Sequence, residues 1–155
     1  MQVYLAHDWK TPRMKTYILN LPSALERRNF QALQAERLGL DALFIDAKTP
    51  ADIPDAFFQA HAFSWERPIK ITEVACFMSH HQVWQQIAAS HQPALVLEDD
   101  AILARNTPEL LRVLGQLEGV DHVSLETRLR RKLLGRHFKS MKGLNARLHP
   151  LLQDR

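Results

Sequence analysis

The architecture of this chain follows from residues 93–103, which read PALVLEDDAIL. A proline opens a short apolar run, and such a run is typical of a strand buried inside a parallel sheet. Three consecutive carboxylates, Glu98, Asp99 and Asp100, follow at its carboxyl end. They repel one another unless a cation lies among them, and a divalent ion with oxygen ligands also keeps coordination positions for phosphate oxygens. The competing interpretation is that one acid caps the next turn while the others are solvated.

Working outward, the composition is typical of one globular domain with a single core. The chain has 155 residues, of which 46% are hydrophobic and 24% are charged. Its one cysteine, Cys76, excludes an internal disulfide framework and fits a reducing compartment. No apolar stretch approaches the roughly 20 residues that span a bilayer, and no secretory signal pattern is visible. These features predict a cytoplasmic protein.

The charges divide the chain into an acidic body and a basic tail. Residues 1–127 contain 11 Lys and Arg against 16 Asp and Glu, whereas residues 128–155 contain 9 against 1. We expect a leader of unclear role at 1–13, a domain at 14–127 and a basic amphipathic tail at 128–155. Basic residues alternate with leucines over 128–149, which indicates peripheral contact with an anionic membrane surface. A helix that packs its leucines on the domain is the alternative, and no module for nucleic-acid binding accompanies the charge.

Predicted strands and helices alternate along the body. This order favours a mostly parallel α/β sheet with right-handed crossovers and flanking helices. A loop broken by prolines at 48–71 contains a short helix near 55–61. The strands are predicted at 16–21, 42–47, 93–98 and 121–126, and the long helices at 23–39, 73–90 and 107–119.

Local signals set several helix boundaries and faces. Ser23 and Glu26 have the spacing of a capping box, and Gly39 is a helix stop. Thr72 is the predicted cap of the second long helix, in which Cys76 is expected to be a small buried packing residue. The apolar stripe of the first helix is predicted to contain Leu25, Phe30, Leu33 and Leu38.

A parallel sheet brings the carboxyl ends of its strands and the following helix starts to one edge, where ligands bind. Arg27 and Arg28 lie one turn into their helix and can reach this edge. Acids, two arginines and helix amino ends are typical of a nucleotide diphosphate site, although the chain has no glycine-rich phosphate loop. The polar residues expected at the edge are Asn20, Ser23, Asp46, Thr72, Glu73, Glu98, Asp99, Asp100 and Glu126.

Three segments resemble glycosyltransferase family 25, which contains lipooligosaccharide galactosyltransferases and their collagen-modifying relatives. They are YILNL at 17–21 followed by Arg27 and Arg28, EVACFMSH at 73–80, and LVLEDDA at 95–101. Their order and separation match the family over about residues 14–126. The resemblance implies a GT-A-like, Rossmann-like fold and metal-dependent, inverting transfer of a hexose, galactose in this family, from UDP-galactose to a lipopolysaccharide or lipooligosaccharide acceptor.

The same resemblance implies roles for individual residues. Asp99 and Asp100 would hold Mn²⁺ or Mg²⁺, and Glu98, Asp99, Asn20, Arg27 and Arg28 would contact the nucleotide sugar. Glu73 and His80 would be catalytic, although His80 is equally well interpreted as a hydrogen-bonded core histidine. Arg28 has a solvated helix face as its competing interpretation.

The chain departs from the family pattern after Glu126, where the basic tail replaces the expected second half. The resemblance therefore predicts a sheet that is incomplete at its carboxyl end and a truncated, donor-binding half. One hypothesis is an active enzyme on the inner face of the bacterial cytoplasmic membrane that uses a glycolipid acceptor. The alternative is a non-catalytic remnant that binds nucleotide sugar or membrane without turnover. A phosphorylated receiver domain is a third interpretation, but its acid pair ends the first strand, whereas several elements precede the acids here.

Overall fold

The structure is a computed structural model that describes residues 14–63 and 66–125, and the backbone of residues 139–141 and 146–148. A 3₁₀ turn at Pro50–Asp52 precedes the second helix. In chain order the elements are β1 (Lys15–Asn20), α1 (Leu25–Leu38), β2 (Asp41–Asp46), α2 (Asp55–His61), α3 (Ile71–Ser90), β3 (Ala94–Glu98), α4 (Thr107–Leu114), β4 (Lys139–Met141) and β5 (Ala146–Leu148).

The central sheet contains three parallel strands in the order β2-β1-β3. Leu19 of β1 lies beside Ile45 of β2 on one side and beside Glu98 of β3 on the other. This register places the carboxyl ends of all three strands at one edge. The predicted α/β class with a parallel sheet is confirmed, and the arrangement is consistent with a Rossmann-like fold.

Alternation along the strands gives the sheet two different faces. Tyr17 and Leu19 point to the α3 face, where they form a core cluster with Val83, which is fully buried. The intervening residues of β1 point to the α1 face, where Ile18 is 1% exposed. A further cluster joins the start of α3 to the segment before it, with Ile53 packed against Val74 and Ala75. The sheet is therefore covered on both faces, as expected for parallel strands.

The amino end of α1 differs from its prediction. The helix begins at Leu25, its N-cap is Ala24, and no side-chain cap is formed, so the Ser23–Glu26 capping box is wrong. The Ala24 N–H donates instead to the Leu21 carbonyl at 2.8 Å, because residues after β1 form a tight turn before the helix starts. The stop at Gly39 is confirmed, with a left-handed φ of 63°.

The predicted apolar stripe of α1 is also wrong. Leu25, Phe30 and Leu33 are exposed, with Leu25 at 64%. The buried face consists of Gln31 and Ala35. A glutamine occupies this position because its amide donates hydrogen bonds to the backbone that follows β3.

The N-cap of α3 lies two residues before the predicted cap, Thr72. Lys70 is the N-cap, and Thr72 is exposed within the first turn. The carboxylate of Glu73 accepts the Lys70 N–H at 2.8 Å and so satisfies a donor that the helix leaves unpaired. Cys76 is exposed, which corrects the expectation of a buried packing residue.

The region after α4 lacks the predicted strand. α4 ends at Leu114 rather than near Gly119, because Gln116 and Leu117 donate to carbonyls three residues back in a tightened turn. Residues 121–125 form no strand, and no other described strand pairs with them. Glu126 lies outside the described residues.

The chain divides into two compact units, Met1–Arg112 and Val113–Arg155. The first contains the parallel sheet. The second contains β4 and β5, which pair antiparallel with Lys139 opposite Leu148. The helix considered for 128–149 is therefore wrong at these two strands, while the rest of that segment and residues 1–13 lie outside the described residues. None of the described helices has the length and apolar character to cross a membrane.

Candidate functional site

The three carboxylates at the end of β3 do not form one cluster. Glu98 is the last residue of the strand, so it follows Val96 onto the α3 face, whereas Asp99 follows Leu97 onto the α1 face. Asp99 is buried at 9% exposure, while Glu98 and Asp100 are exposed. The acids predicted to share one site are therefore distributed between two surfaces that meet at the edge of the sheet.

On the α1 face, Asp99 lies between two side chains. The Asn20 amide donates to Asp99 Oδ2 at 2.8 Å, and Arg27 Nη1 donates to Asp99 Oδ1 at 3.1 Å. A buried carboxylate needs such donors to offset its loss of water. The Arg27 side chain is 63% exposed, so most of its five N–H donors remain accessible to a ligand. The structure thus brings together three of the residues predicted to bind the nucleotide sugar.

Arg28 extends this group toward β2. Its Nη1 lies 3.5 Å from Asn20 Oδ1 and 3.9 Å from Asp46 Oδ1. Its guanidinium carbon lies 4.5 Å from the centroid of the Phe44 ring, which is a cation–π geometry. Arg28 is therefore partly packed rather than simply solvated, and it joins the carboxyl ends of β1 and β2 at the edge.

Two glutamines that the sequence analysis missed hold the segment after β3. Gln31 Nε2 donates to the carbonyls of Asp99 at 3.1 Å and Ala101 at 2.7 Å. Gln34 bonds to Gln31 and Ala101, and its Oε1 accepts the N–H of Leu103 at 2.8 Å. Their i, i+3 spacing on one helix face was the available signal. These contacts fix the backbone that carries Asp99 and Asp100.

Asp100 is the acid of the triplet that is available to a cation. It is exposed, and no hydrogen bond or ion pair joins it to another residue in the part of the chain that the structure describes. Asp99 already accepts bonds at both oxygens, one of them from a guanidinium. An exposed carboxylate without a partner is a ligand that Mg²⁺ accepts, together with water.

On the α3 face, Glu98 lies beside His80. His80 Nε2 and Glu98 Oε1 are 3.1 Å apart, and the two side chains are 24% and 46% exposed. Cys76 lies one helical turn before His80. Although Cys76 is exposed as a residue, partial burial of its thiol, followed by the charge of Glu98, raises the pKa of that thiol. Of the two interpretations of His80, the structure shows a histidine with a carboxylate partner at the sheet edge rather than one enclosed in the core.

Glu73 is placed apart from this pair by two turns of α3, about 10 Å along the helix axis. Its carboxylate makes two contacts with the Arg67 guanidinium, one of them at 2.9 Å, besides accepting the Lys70 N–H. The Arg67 contact, followed by the Lys70 bond, lowers the pKa of Glu73 to about 2. The catalytic role of Glu73 stays a prediction, since these contacts already account for its position.

The loop after β2 is also tied to α3 at this edge. Ser79 Oγ accepts the Lys48 N–H at 2.8 Å and donates to the Ala75 carbonyl at 2.8 Å. Gln82 Nε2 donates to the Asp46 carbonyl at 3.0 Å. Ser23 and Thr72, which were expected at the edge, are exposed and make no side-chain bond within the described part of the chain.

A three-stranded parallel sheet whose carboxyl edge carries acids, an amide and two arginines defines an α/β domain suited to an anionic ligand. The family model described as glycosyltransferase family 25 (LPS biosynthesis protein) matches residues 13–149. The chain belongs to this family.

Named relatives agree with that assignment. A glycosyltransferase 25 family member of Aedes aegypti is 34% identical over 94 residues, which cover 54% of this chain and 16% of the relative. The lacto-N-neotetraose biosynthesis glycosyltransferase LgtB of Neisseria meningitidis is 32% identical over 101 residues, 63% of this chain and 37% of the relative. The lipooligosaccharide biosynthesis protein lic2B of Haemophilus influenzae is 29% identical over 98 residues, 61% of this chain and 36% of the relative. The matches thus span well under half the length of these relatives.

Proposed function

We propose that this chain is the donor-binding part of a hexosyltransferase that moves galactose from UDP-galactose to a lipooligosaccharide or lipopolysaccharide acceptor, with inversion at the sugar. The observation that carries the proposal is the group formed by Asn20, Arg27 and Asp99 at the carboxyl edge, with Asp100 beside it and unpaired among the described residues. Family membership and the names of the bacterial relatives support the reaction class.

The α1 face supplies the donor contacts in this proposal. Asp99 holds Asn20 and Arg27 in place through charge-assisted bonds, so that neither must be ordered when the donor binds. Arg27 offers its remaining N–H groups to a diphosphate oxygen, and Asn20 contributes to the pocket for the nucleoside. Arg28, held over Phe44, adds positive charge on the β2 side.

A divalent ion, Mn²⁺ or Mg²⁺, fits Asp100. When bound, such an ion supplies charge neutralisation for the leaving diphosphate. The residues of this chain then have two tasks, which are to bind the diphosphate through Arg27 and to keep Asp100 in position through Gln31, which holds the backbone on either side of it.

The predicted catalytic residues both lie on α3. His80 is the better placed of the two, because its hydrogen bond to Glu98 orients the imidazole at the sheet edge. An imidazole oriented by a carboxylate can accept a proton from an acceptor hydroxyl. Glu73, bonded to Arg67, is assigned to holding the start of α3.

Calorimetric titration of UDP-galactose tests the proposal. With Mn²⁺ present the chain should bind the donor, and after chelation with EDTA binding should be lost. Asp100→Asn should weaken the metal-dependent binding by about 10-fold or more, as expected when a metal ligand is removed. The matched control is Glu36→Gln, since Glu36 is an exposed acid near the carboxyl end of α1, whereas the donor-binding Arg27 lies near its amino end. Equal binding with and without metal, or by wild type and Asp100→Asn, would contradict the proposal.

A transfer assay separates the enzyme from a protein that binds the donor without turnover. The chain spans 37% of LgtB, so donor binding and transfer are distinct questions. Release of UDP that depends on a lactosyl or N-acetylglucosaminyl acceptor would establish transfer. Donor binding without such release would favour the non-catalytic alternative. Peripheral membrane contact through 128–149 is a further part of this proposal.

A further inference from the structure

Three metal-ligating side chains converge on the α3 face, away from the proposed donor contacts on the α1 face. They are Cys76 and His80 of α3 and Glu98 at the end of β3. Their ligand atoms, the Cys76 Sγ, a His80 ring nitrogen and a Glu98 carboxylate oxygen, all lie within 4.8 Å of one another. Cys76 and His80 are four residues apart, so one helix face presents both, and the strand end presents the third.

The distances suit a tetrahedral ion. With metal–ligand bonds of about 2.0–2.3 Å, as for zinc, tetrahedral ligands lie about 3.4–3.6 Å apart. The His80–Glu98 separation is already 3.1 Å, and the other two separations, which are at most 4.8 Å, need to close by no more than about 1.4 Å. Cys76 and Glu98 are both exposed and His80 is half-buried, so side-chain rotation can supply this movement without repacking the core.

The donor set selects the kind of metal. A thiolate and an imidazole favour Zn²⁺ and chemically similar ions, whereas Mg²⁺ prefers oxygen ligands alone. Three protein ligands with an open fourth position are typical of zinc sites that bind water or a small ligand. This set therefore differs in chemistry, as well as in place, from the carboxylate at Asp100.

We propose that Cys76, His80 and Glu98 form a binding site for a thiophilic divalent cation of the Zn²⁺ class, with one coordination position open to solvent. Binding transfers the thiol proton of Cys76 to solvent, and the metal replaces the hydrogen bond between His80 and Glu98. The imidazole then coordinates through one nitrogen and keeps its proton on the other. The site goes beyond the proposed donor binding and does not depend on it. Because a metal-bound His80 has no free nitrogen to accept a proton, an ion at this site would block the proton transfer proposed for that imidazole.

Titration with Co²⁺ tests this site directly, because a cobalt–thiolate bond produces a charge-transfer absorption band in the near ultraviolet. The chain contains one cysteine, so any such band reports Cys76. We expect the band to saturate at one Co²⁺ per chain and to disappear when Zn²⁺ displaces the cobalt. Cys76→Ser should abolish it, and His80→Asn or Glu98→Gln should weaken Co²⁺ binding by about 10-fold or more.

Two control variants separate this site from its neighbours. His81→Asn removes the adjacent histidine of α3, which stacks on Phe77, and should leave the band unchanged. Asp100→Asn should also leave the band unchanged, although it is expected to impair binding of UDP-galactose with Mn²⁺. Failure of the donor site and failure of this site are therefore distinguishable. Circular dichroism verifies that each variant is folded.

Three results would overturn the proposal. The first is the absence of a thiolate band in the folded wild-type chain. The second is a band of wild-type strength in both His80→Asn and Glu98→Gln, which would show that Cys76 binds cobalt without its neighbours. The third is saturation at one Co²⁺ per two chains with dimer formation, which would show that the ion bridges cysteines of different molecules.

Discussion

The carboxylate of Glu73 illustrates how a charged side chain can complete a helix. Its contacts with the Arg67 guanidinium and with the Lys70 N–H both stabilise the ionised form, and they lower its pKa from 4.5 to about 2. A general base is most effective when its pKa is near the working pH. The contacts therefore match a role in starting α3 more closely than a role in proton transfer.

This pairing predicts a pH-dependent contribution to stability. Because the pKa of Glu73 is lower in the folded chain than its usual 4.5, its contribution is complete above that value and is lost as the pH falls toward 2. Glu73→Gln should be less stable than wild type at neutral pH, and the difference should shrink between pH 4.5 and pH 2. Urea unfolding at a series of pH values measures this. Glu109→Gln, which removes an exposed acid of α4, is the control, and a pH-independent deficit in Glu73→Gln would contradict the prediction.

Helix α1 holds the segment after β3 in place through hydrogen bonds, besides packing on one face of the sheet. Gln31 is 1% exposed, and its amide serves two carbonyls of that segment. A buried carbonyl that loses its donor costs about 1–3 kcal/mol. The helix therefore contributes to the site through polar contacts rather than through the leucines on its surface.

Gln31→Ala should therefore destabilise the domain by about 1–3 kcal/mol, since the Asp99 carbonyl loses its glutamine donor inside the fold. The measurement is the free energy of unfolding in urea. Gln85→Ala provides the control, because Gln85 is an exposed glutamine of α3 and its loss should change stability by less than about 0.5 kcal/mol. Equal losses in the free energy of unfolding for the two variants would show that the bonds from Gln31 to the segment after β3 contribute nothing to stability.

The regular elements of the parallel sheet were predictable from local pattern. Apolar runs bounded by proline or polar residues identified the three strands, and Gly39 ended α1 as expected. The errors involve long-range contacts. Gln31 is buried at the centre of α1 because its amide bonds to carbonyls 68 and 70 positions away. The apolar periodicity of the helix itself contains no sign of such long-range contacts. The predicted strand at 121–126 fails for the same reason, because a strand requires a partner as well as a composition.

The candidate site was predicted in part. Sequence order places Asn20 and Asp99 at strand ends, and topology makes them neighbours. The contacts of Asp99 with Arg27 and of His80 with Glu98 required coordinates. The separation of Glu98 from Asp99 onto two faces follows from the period of two in a strand, so the prediction that the three acids form one cluster is wrong.

For the molecule as a whole, the uneven charge is the property that bears most on its surroundings. Residues 128–155 contain 9 basic residues and a single acid, while residues 1–127 contain more acids than bases. Such a tail is attracted to anionic surfaces, with about 1 kcal/mol gained per basic residue close to the membrane.

The full chain should therefore sediment with vesicles that contain phosphatidylglycerol, and much less with vesicles of phosphatidylcholine alone. Binding should fall steeply as salt increases, because ions screen the attraction. Replacing Arg130, Arg131 and Lys132 by glutamine should reduce binding by about 10-fold or more, as three such contacts predict. Replacing the basic residues Arg37, Lys48 and Arg105 of the body is the control. Equal sedimentation with both vesicle types would contradict a membrane contact.

The two-sided end of β3 has a consequence for how this protein tolerates change in length. Insertion of one residue within 95–97 would place the glutamate on the α1 face beside Asn20 and Arg27, and deletion of one residue would place an aspartate on the α3 face beside His80. Insertion or deletion of two residues would restore the original faces but would shift both acids along the strand, away from these partners. Exchanging the order of Glu98 and Asp99 would likewise put each acid on the other face, so it is a more drastic alteration than its unchanged composition suggests.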